Sequence, residues 1–133
     1  MKIEHSRTSV FAIEYHIVFV TKYRRRVIEG DIKDDLYAAL RNVCKKNKTY
    51  QIQVMNGEAD HVHLLVSTNP RQSIPVMIKQ LKGSSAKTIL AAHPEIKDKL
   101  WGGHFWSPTY FIATVSENTE DQIKDYIESQ GDR

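Results

Sequence analysis

Hydrophobic and polar residues alternate from Ala12 to Val20, with Ile13, Tyr15, Ile17 and Phe19 on one side and Glu14, His16 and Val18 on the other. A period of two predicts a strand with one face toward a core. From Asp31 to Lys48 the period changes, and Ile32, Leu36, Leu40 and Val43 recur at helical spacing. Asp31, Asp34 and Asp35 come early in this stretch and Lys45, Lys46 and Lys48 late, the order that complements a helix dipole. Tyr50 to Met55 and His61 to Ser67 predict two more strands, and Asn56-Gly57 between them predicts the turn of an antiparallel hairpin. Ser73 and Pro75 open a second helix, whose stripe Ile74, Ile78, Leu81, Ser85 and Ile89 runs on to the stop at His93-Pro94. After a loop with Trp101, Gly102, Gly103 and Pro108, Tyr110 to Val115 predicts a fourth strand. Asn118 is the expected N-cap of a last helix from Thr119 to about Gln130.

The order β-α-β-β-α-β-α begins with the six elements of a ferredoxin-like split βαβ unit, an α+β fold. It predicts one antiparallel sheet with both crossover helices on one face, the other face open, and a C-terminal helix beyond the core. At 133 residues, 41% hydrophobic and 26% charged, residues 1–133 read as a single globular domain. No run approaches the roughly 18 apolar residues of a membrane span. The start Met-Lys-Ile-Glu-His lacks an apolar leader core, so neither a membrane nor a secreted location is expected. Cys44 is the only cysteine, which excludes an internal disulfide and a thiolate zinc cluster; a buried helix position and a reducing cytoplasm are expected.

The net charge of +3 conceals a gradient. Residues 21 to 48 carry nine basic and four acidic groups, residues 71 to 99 six and two, and residues 117 to 133 two and six. Two basic blocks and an acidic end suit an anionic partner, nucleic acid first, although solvated helix faces produce similar blocks.

Two constellations carry chemistry. In Asp60-His61-Val62-His63, residues two apart on a strand project together, so His61 and His63 form half of a metal site, or a hydrogen-bonded pair at the core's edge. In Lys124-Asp125-Tyr126-Ile127-Glu128-Ser129-Gln130, Tyr126 and Gln130 stack one turn apart on the stripe of Ile123 and Ile127. An amide on an apolar stripe needs a partner. His5, His16, His93 and His104 have no spacing that forms a second site, and Trp101 and Trp106 read as packing residues.

Together these residues resemble the single-tyrosine HUH transposases of the insertion-sequence 200/605 group. The resemblance extends over nearly the whole chain, through Tyr15-His16-Ile17-Val18-Phe19, Thr21-Lys22-Tyr23-Arg24-Arg25, Asp60 to Leu65, Leu81-Lys82-Gly83, Lys99-Leu100-Trp101, Tyr110-Phe111 and Tyr126 to Gln130. It implies cleavage and rejoining of single-stranded DNA at the ends of a mobile element, with Tyr126 as nucleophile forming a 5′-phosphotyrosine. His61, His63 and Gln130 would hold one divalent metal ion, Mg²⁺ or Mn²⁺, with Glu58 and Asp60 orienting the histidines. An ionised phenol, with a pKa near 10 in small peptides, leaves more readily than an alkoxide, which suits strand transfer over hydrolysis.

The resemblance also implies a homodimer whose active sites are shared between subunits, and a substrate of single-stranded DNA with imperfect hairpins. Lys22, Tyr23, Arg24, Arg25, Arg26, Lys79 and Lys82 are the candidate DNA contacts, since basic and aromatic groups suit phosphates and unstacked bases. The segment Val115-Ser116-Glu117-Asn118 has none of the glycines that some relatives place before the tyrosine helix. Competing expectations are a non-catalytic or housekeeping relative acting on chromosomal palindromes, and a phosphodiesterase that hydrolyses its substrate.

Overall fold

The computed structural model describes residues 3–100, 103–114 and 119–130. A short hairpin of β1 (Glu4–His5) and β2 (Val10–Phe11), which the sequence pattern does not reveal, precedes the core. The core then follows as β3 (Ile13–Val20), α1 (Gly30–Lys46), β4 (Tyr50–Glu58), β5 (His61–Thr68), α2 (Ile74–Ala92), β6 (Phe111–Ala113) and α3 (Thr119–Ser129). The four-stranded sheet runs β4-β5-β3-β6 with every pair antiparallel, as the split βαβ pattern predicts.

Alternation writes the two faces of the sheet. Along β5, Val62, Leu64, Val66 and Thr68 are buried while His61, His63, Leu65 and Ser67 are half-buried. Val62, Leu64 and Val66 join Ile17 and Phe19 of β3 in one cluster with Leu36, Leu40 and Val43 of α1 and Met77, Ile78, Leu81 and Ile89 of α2. Each of these side chains stabilises the fold by roughly 1.5–3 kcal/mol through burial. The apolar positions of α1, Leu36, Ala39, Leu40, Val43 and Cys44, follow the i, i+3, i+4, i+7, i+8 pattern of one face, and Cys44 is buried there. Asn47 ends α1 by directing both its backbone N–H and its side-chain amide to the Val43 carbonyl, at 3.0 and 2.9 Å. Ser73 caps α2, its hydroxyl accepting from the Val76 N–H at 3.4 Å.

On the opposite face, Val18 and Val20 are fully buried, so alternation is lost in the second half of β3. The cause is α3, whose Ile123, Tyr126 and Ile127 pack on Val18, Val20 and Phe111. The open face is therefore half covered.

The hairpin turn lies elsewhere than Asn56-Gly57. Strand β4 continues through both residues, pairing Asn56 with His63, Gly57 with Val62 and Glu58 with His61, and Ala59-Asp60 makes the turn. Tertiary bonds override the local signal: the Asp60 carbonyl accepts from the Thr21 N–H at 2.9 Å, and the Ala59 carbonyl accepts from the Ile28 N–H at 2.9 Å. Gly57 serves close approach instead, because a Cβ there would stand 2.3 Å from the His61 carbonyl oxygen. A bulge at Gln53 shifts the strand's phase and leaves Val54 exposed. The fourth strand is shorter than the pattern predicts, and Trp101, Gly102, Val115 and the Asn118 cap lie outside the described residues.

Candidate active site

The histidine pair stands at the turn end of β5. His61 and His63 share the open face with His16, Val18 and Val20, because β3 and β5 pair Val20 with His61 and Val18 with His63. Asp60, buried in the turn, fixes His61: its Oδ1 lies 2.8 Å from His61 Nδ1, while Arg24 Nε donates to its Oδ2 at 3.1 Å. Engaging Nδ1 in this way leaves His61 Nε2 for a ligand, the arrangement by which carboxylates orient metal-binding imidazoles. Burial alone would raise the Asp60 carboxyl, but the hydrogen bonds from His61 and Arg24 and their charges hold it below the ordinary aspartate value.

His63 meets a residue that the sequence pattern left out. His16 Nδ1 and His63 Nε2 are 2.8 Å apart, with the rings stacked at a centroid distance of 5.0 Å. Burial, then the neighbouring His16 and His61, push the His63 imidazole below its usual value, against an upward pull from Glu120 of α3. Glu58, opposite His61 on β4, completes a group in which ligand atoms of Glu58, Asp60 and His61 all lie within 4.8 Å of one another. Imidazole nitrogens with nearby carboxylates and no thiolate fit a divalent cation such as Mn²⁺ or Mg²⁺ better than a soft metal.

The second cluster belongs to α3. Tyr126 packs beside Phe111, ring centroids 5.7 Å apart, and its hydroxyl is 2.7 Å from Thr109 Oγ1. Gln130 is buried, and its carbonyl oxygen accepts from Thr109 and Ser107, each at 3.0 Å. A threonine hydroxyl carries one hydrogen and an amide oxygen only accepts. The chain therefore orders as Tyr126 O–H to Thr109, and Thr109 O–H to Gln130. Both lone pairs of the Gln130 oxygen are engaged, so it can join a cation only by giving up a hydroxyl partner.

Beneath this cluster lies Lys82. Its Nζ donates to the carbonyls of Ser107 and Thr109 at 2.7 and 3.1 Å, and burial pushes its ammonium down to about 8. A lysine that the sequence suggests for DNA is thus spent on the loop holding Tyr126 and Gln130. Ser85 of α2 supports the same loop, accepting from Trp106 Nε1 at 3.1 Å, and Trp106 is packing as expected.

The remaining basic candidates divide. Lys22, Tyr23 and Arg24 form a single 3-10 turn in which Tyr23 and Arg24 adopt left-handed φ values of 58° and 54°. Such a conformation costs non-glycine residues roughly 1–2 kcal/mol each. Here Thr21 holds it, its hydroxyl donating to the Arg25 carbonyl at 2.7 Å. The turn aims Arg24 at Asp60 and leaves the Tyr23 ring exposed between Lys22 at 4.9 Å and Arg25 at 6.0 Å. Arg25 and Arg26 are exposed, and Lys79 is exposed on α2.

The two clusters lie on one face of one sheet. Val18 and Val20, covered by α3, are the direct cross-strand partners of His63 and His61, an inter-strand step of about 5 Å. The missed residues, His16, Ser107 and Thr109, had only a weak signal: His16 falls on the polar side of the alternation in β3, but strand register alone decides which residue it meets.

Known proteins are similar to this chain in sequence and in fold. The chain is 44% identical over all 133 residues to the ISDra2 transposase TnpA of Deinococcus radiodurans, covering 94% of that protein. It is 34% identical over 120 residues, 88% of the chain and 76% of the relative, to the transposase of insertion sequence element IS200 from Salmonella typhimurium. A crystal structure of a protein from Deinococcus radiodurans R1 assigned as a transposase superposes with a TM-score of 0.91 at 38% identity, covering 96% of this chain and 97% of that one. A REP-associated tyrosine transposase bound to a REP hairpin shares the fold at a TM-score of 0.56 and 15% identity, over 92% of this chain and 70% of that one. The profile of the family described as "Transposase IS200 like" matches residues 9–130, and the chain belongs to that family.

Proposed function

We propose that this transposase cleaves and rejoins single-stranded DNA through a 5′-phosphotyrosine on Tyr126. The observation that supports this most is the docking of α3, which sets Tyr126 on Val18, Val20 and Phe111, beside the strand that carries His61 and His63. Tyr126 Oη attacks the scissile phosphorus, the bond to the 3′ oxygen breaks, and that oxygen leaves as a 3′-hydroxyl after taking a proton. The Tyr126 proton leaves to solvent, and the Thr109 hydroxyl 2.7 Å away holds the phenol oxygen in place. Rejoining reverses the step: an incoming 3′-hydroxyl forms the new phosphodiester and releases the phenolate.

His61, His63 and Gln130 would hold a Mn²⁺ or Mg²⁺ ion, which supplies charge stabilisation to the phosphate oxygens. Asp60 keeps His61 in the tautomer that presents Nε2, and Arg24 keeps Asp60 ionised. Gln130 would join the histidines by giving up one of its hydroxyl partners, Ser107 or Thr109. The Tyr23 ring, flanked by Lys22 and Arg25, offers a base-stacking surface, and Arg25, Arg26 and Lys79 offer charge to the backbone. The substrate is single-stranded DNA bearing an imperfect hairpin, bound by a cytoplasmic homodimer that exchanges α3 between equivalent sheet faces.

The test uses hairpin DNA labelled at its 3′ end and Mn²⁺, with products resolved on a denaturing gel. A slower protein–DNA band that disappears with chelator or with Tyr126→Phe is expected. Release of free 5′-phosphate product by the Tyr126→Phe protein would instead make the enzyme a hydrolase.

A further inference from the structure

We propose that stacking of an unpaired base on Tyr23 and the orientation of His61 are coupled through Arg24 and Asp60, an inference that rests on the stacking role of Tyr23 above. Tyr23 and Arg24 are consecutive residues in the left-handed region, at φ 58° and 54°, a conformation disfavoured wherever a Cβ is present. Their side chains leave this one strained stretch of backbone in different directions. The Tyr23 ring stands exposed between Lys22 and Arg25, and Arg24 Nε reaches the buried Asp60 carboxylate at 3.1 Å. Rotation of the turn out of the left-handed region redirects both side chains at once, so the place of the ring and the reach of the guanidinium change together.

Such strain persists only where the surroundings hold it. Asp60 supplies much of that hold: its carboxylate takes Arg24, and its carbonyl accepts from the Thr21 N–H at 2.9 Å, at the base of the turn. The other carboxylate oxygen lies 2.8 Å from His61 Nδ1. A carboxylate only accepts, so Nδ1 carries the hydrogen and Nε2 the lone pair. Glu58 is the competing partner, since ligand atoms of Glu58, Asp60 and His61 all lie within 4.8 Å of one another. Arg24 on Oδ2 keeps Oδ1 turned to His61, and a turn that lets Arg24 go frees the carboxylate to rotate. A base that favours the strained turn therefore fixes His61, and by reciprocity a fixed His61 tightens base binding by the same factor.

Metal-free protein and an oligothymidylate too short to form a hairpin test this. Fluorescence anisotropy reads affinity, and ¹⁵N NMR of histidine-labelled protein reads the His61 tautomer at about pH 8, where an ordinary imidazole is neutral. The His61 signals are assigned by their loss in His61→Gln. Oligonucleotide is expected to shift them in wild type and to leave them in place in Tyr23→Ala. Asp60→Asn removes a negative charge, which by itself strengthens binding to a polyanion, yet it is expected to weaken binding at least about fivefold. In a Tyr23→Ala background the same substitution is expected to cost nothing further, and in Tyr23→Phe, which keeps the ring, to keep its full effect. Circular dichroism of each variant checks the fold. Unmoved His61 signals in oligonucleotide-bound wild type would overturn the coupling and leave the stacking surface standing. Unchanged or tighter binding by Asp60→Asn would do the same, as would losses that simply add in the double variant. Equal affinity of wild type and Tyr23→Ala, or no binding by either, would remove the stacking surface and the inference with it. The covalent step at Tyr126 stands or falls separately, on the gel assay.

Discussion

Asp60 joins more of this site than any other residue. Its carbonyl anchors Thr21, its carboxylate takes Arg24 and His61, and it closes the turn that begins the histidine strand. Asp60→Asn keeps the shape but weakens both charge-assisted bonds and permits the wrong His61 tautomer. Mn²⁺ affinity, read by calorimetry, should fall about 10- to 100-fold, and urea unfolding near neutral pH should lose about 1–3 kcal/mol. The pH dependence has a definite sign. Folding lowers the Asp60 pKa, so its stabilisation is present above the ordinary aspartate range and is lost as pH falls through the lowered value. Unfolding midpoints of wild type and Asp60→Asn should therefore converge in acid. A constant gap between them would show that the carboxylate does not act through its charge.

Elements position these residues, and two of them are exposed to single substitutions. Gly57 sits where β4 passes the His61 carbonyl, and Gly57→Ala forces a Cβ to 2.3 Å from that oxygen. The strands must separate at the site, and a loss of about 2–4 kcal/mol is expected in chemical denaturation, together with weakened Mn²⁺ binding. The second clamp is Lys82 under the loop of Ser107 and Thr109. Folding moves its pKa from 10.5 to about 8, so between those values the unfolded chain holds a proton that the folded chain has released. This residue makes stability rise with pH across that window, and Lys82→Met should flatten the rise in pH-dependent unfolding curves. The same variant loosens the seat of Tyr126 and Gln130, so cleavage should slow while helix content stays unchanged.

The elements also show what was legible in the sequence. Period two and period 3.6 suffice to place β3, α1, β5 and α2, even though α3 buries the second face of β3 at Val18 and Val20, and spacing alone puts His61 beside His63. The hairpin turn was not legible: Asn56-Gly57 is the stronger local signal, but Thr21 and Ile28, far away in sequence, hold Asp60 and Ala59 instead. His16 was hidden for a related reason, since its meeting with His63 depends on the register of two strands 47 positions apart. The commitment of Lys82 to loop carbonyls needed the third dimension as well, because a lysine stem buried under a loop reads in sequence like any other lysine on a helix.

For the whole molecule, charge and the proposed homodimer each make a prediction. The basic groups Lys22 and Arg25 flank the exposed Tyr23 ring, so DNA binding should weaken with salt, and Arg25→Ala should reduce the slope of log affinity against log salt by about one. Fluorescence anisotropy with hairpin DNA at several salt concentrations measures it. Assembly makes a second prediction: mixing Tyr126→Phe with His63→Ala protomers should restore cleavage, since an exchanged α3 builds one intact site per mixed dimer. Inactivity of every mixture would confine each site to one chain, as α3 docks here on its own sheet.

In the proposed reaction Tyr126 becomes covalently joined to the 5′ phosphate of cleaved DNA, a bond that peptide mapping detects. Wild-type protein is incubated with hairpin DNA and Mn²⁺, digested with nuclease and protease, and analysed by mass spectrometry. A nucleotide phosphate is expected on the peptide containing Tyr126, at that residue. A nucleotide on any other side chain, or DNA cut with no modified peptide, would contradict it.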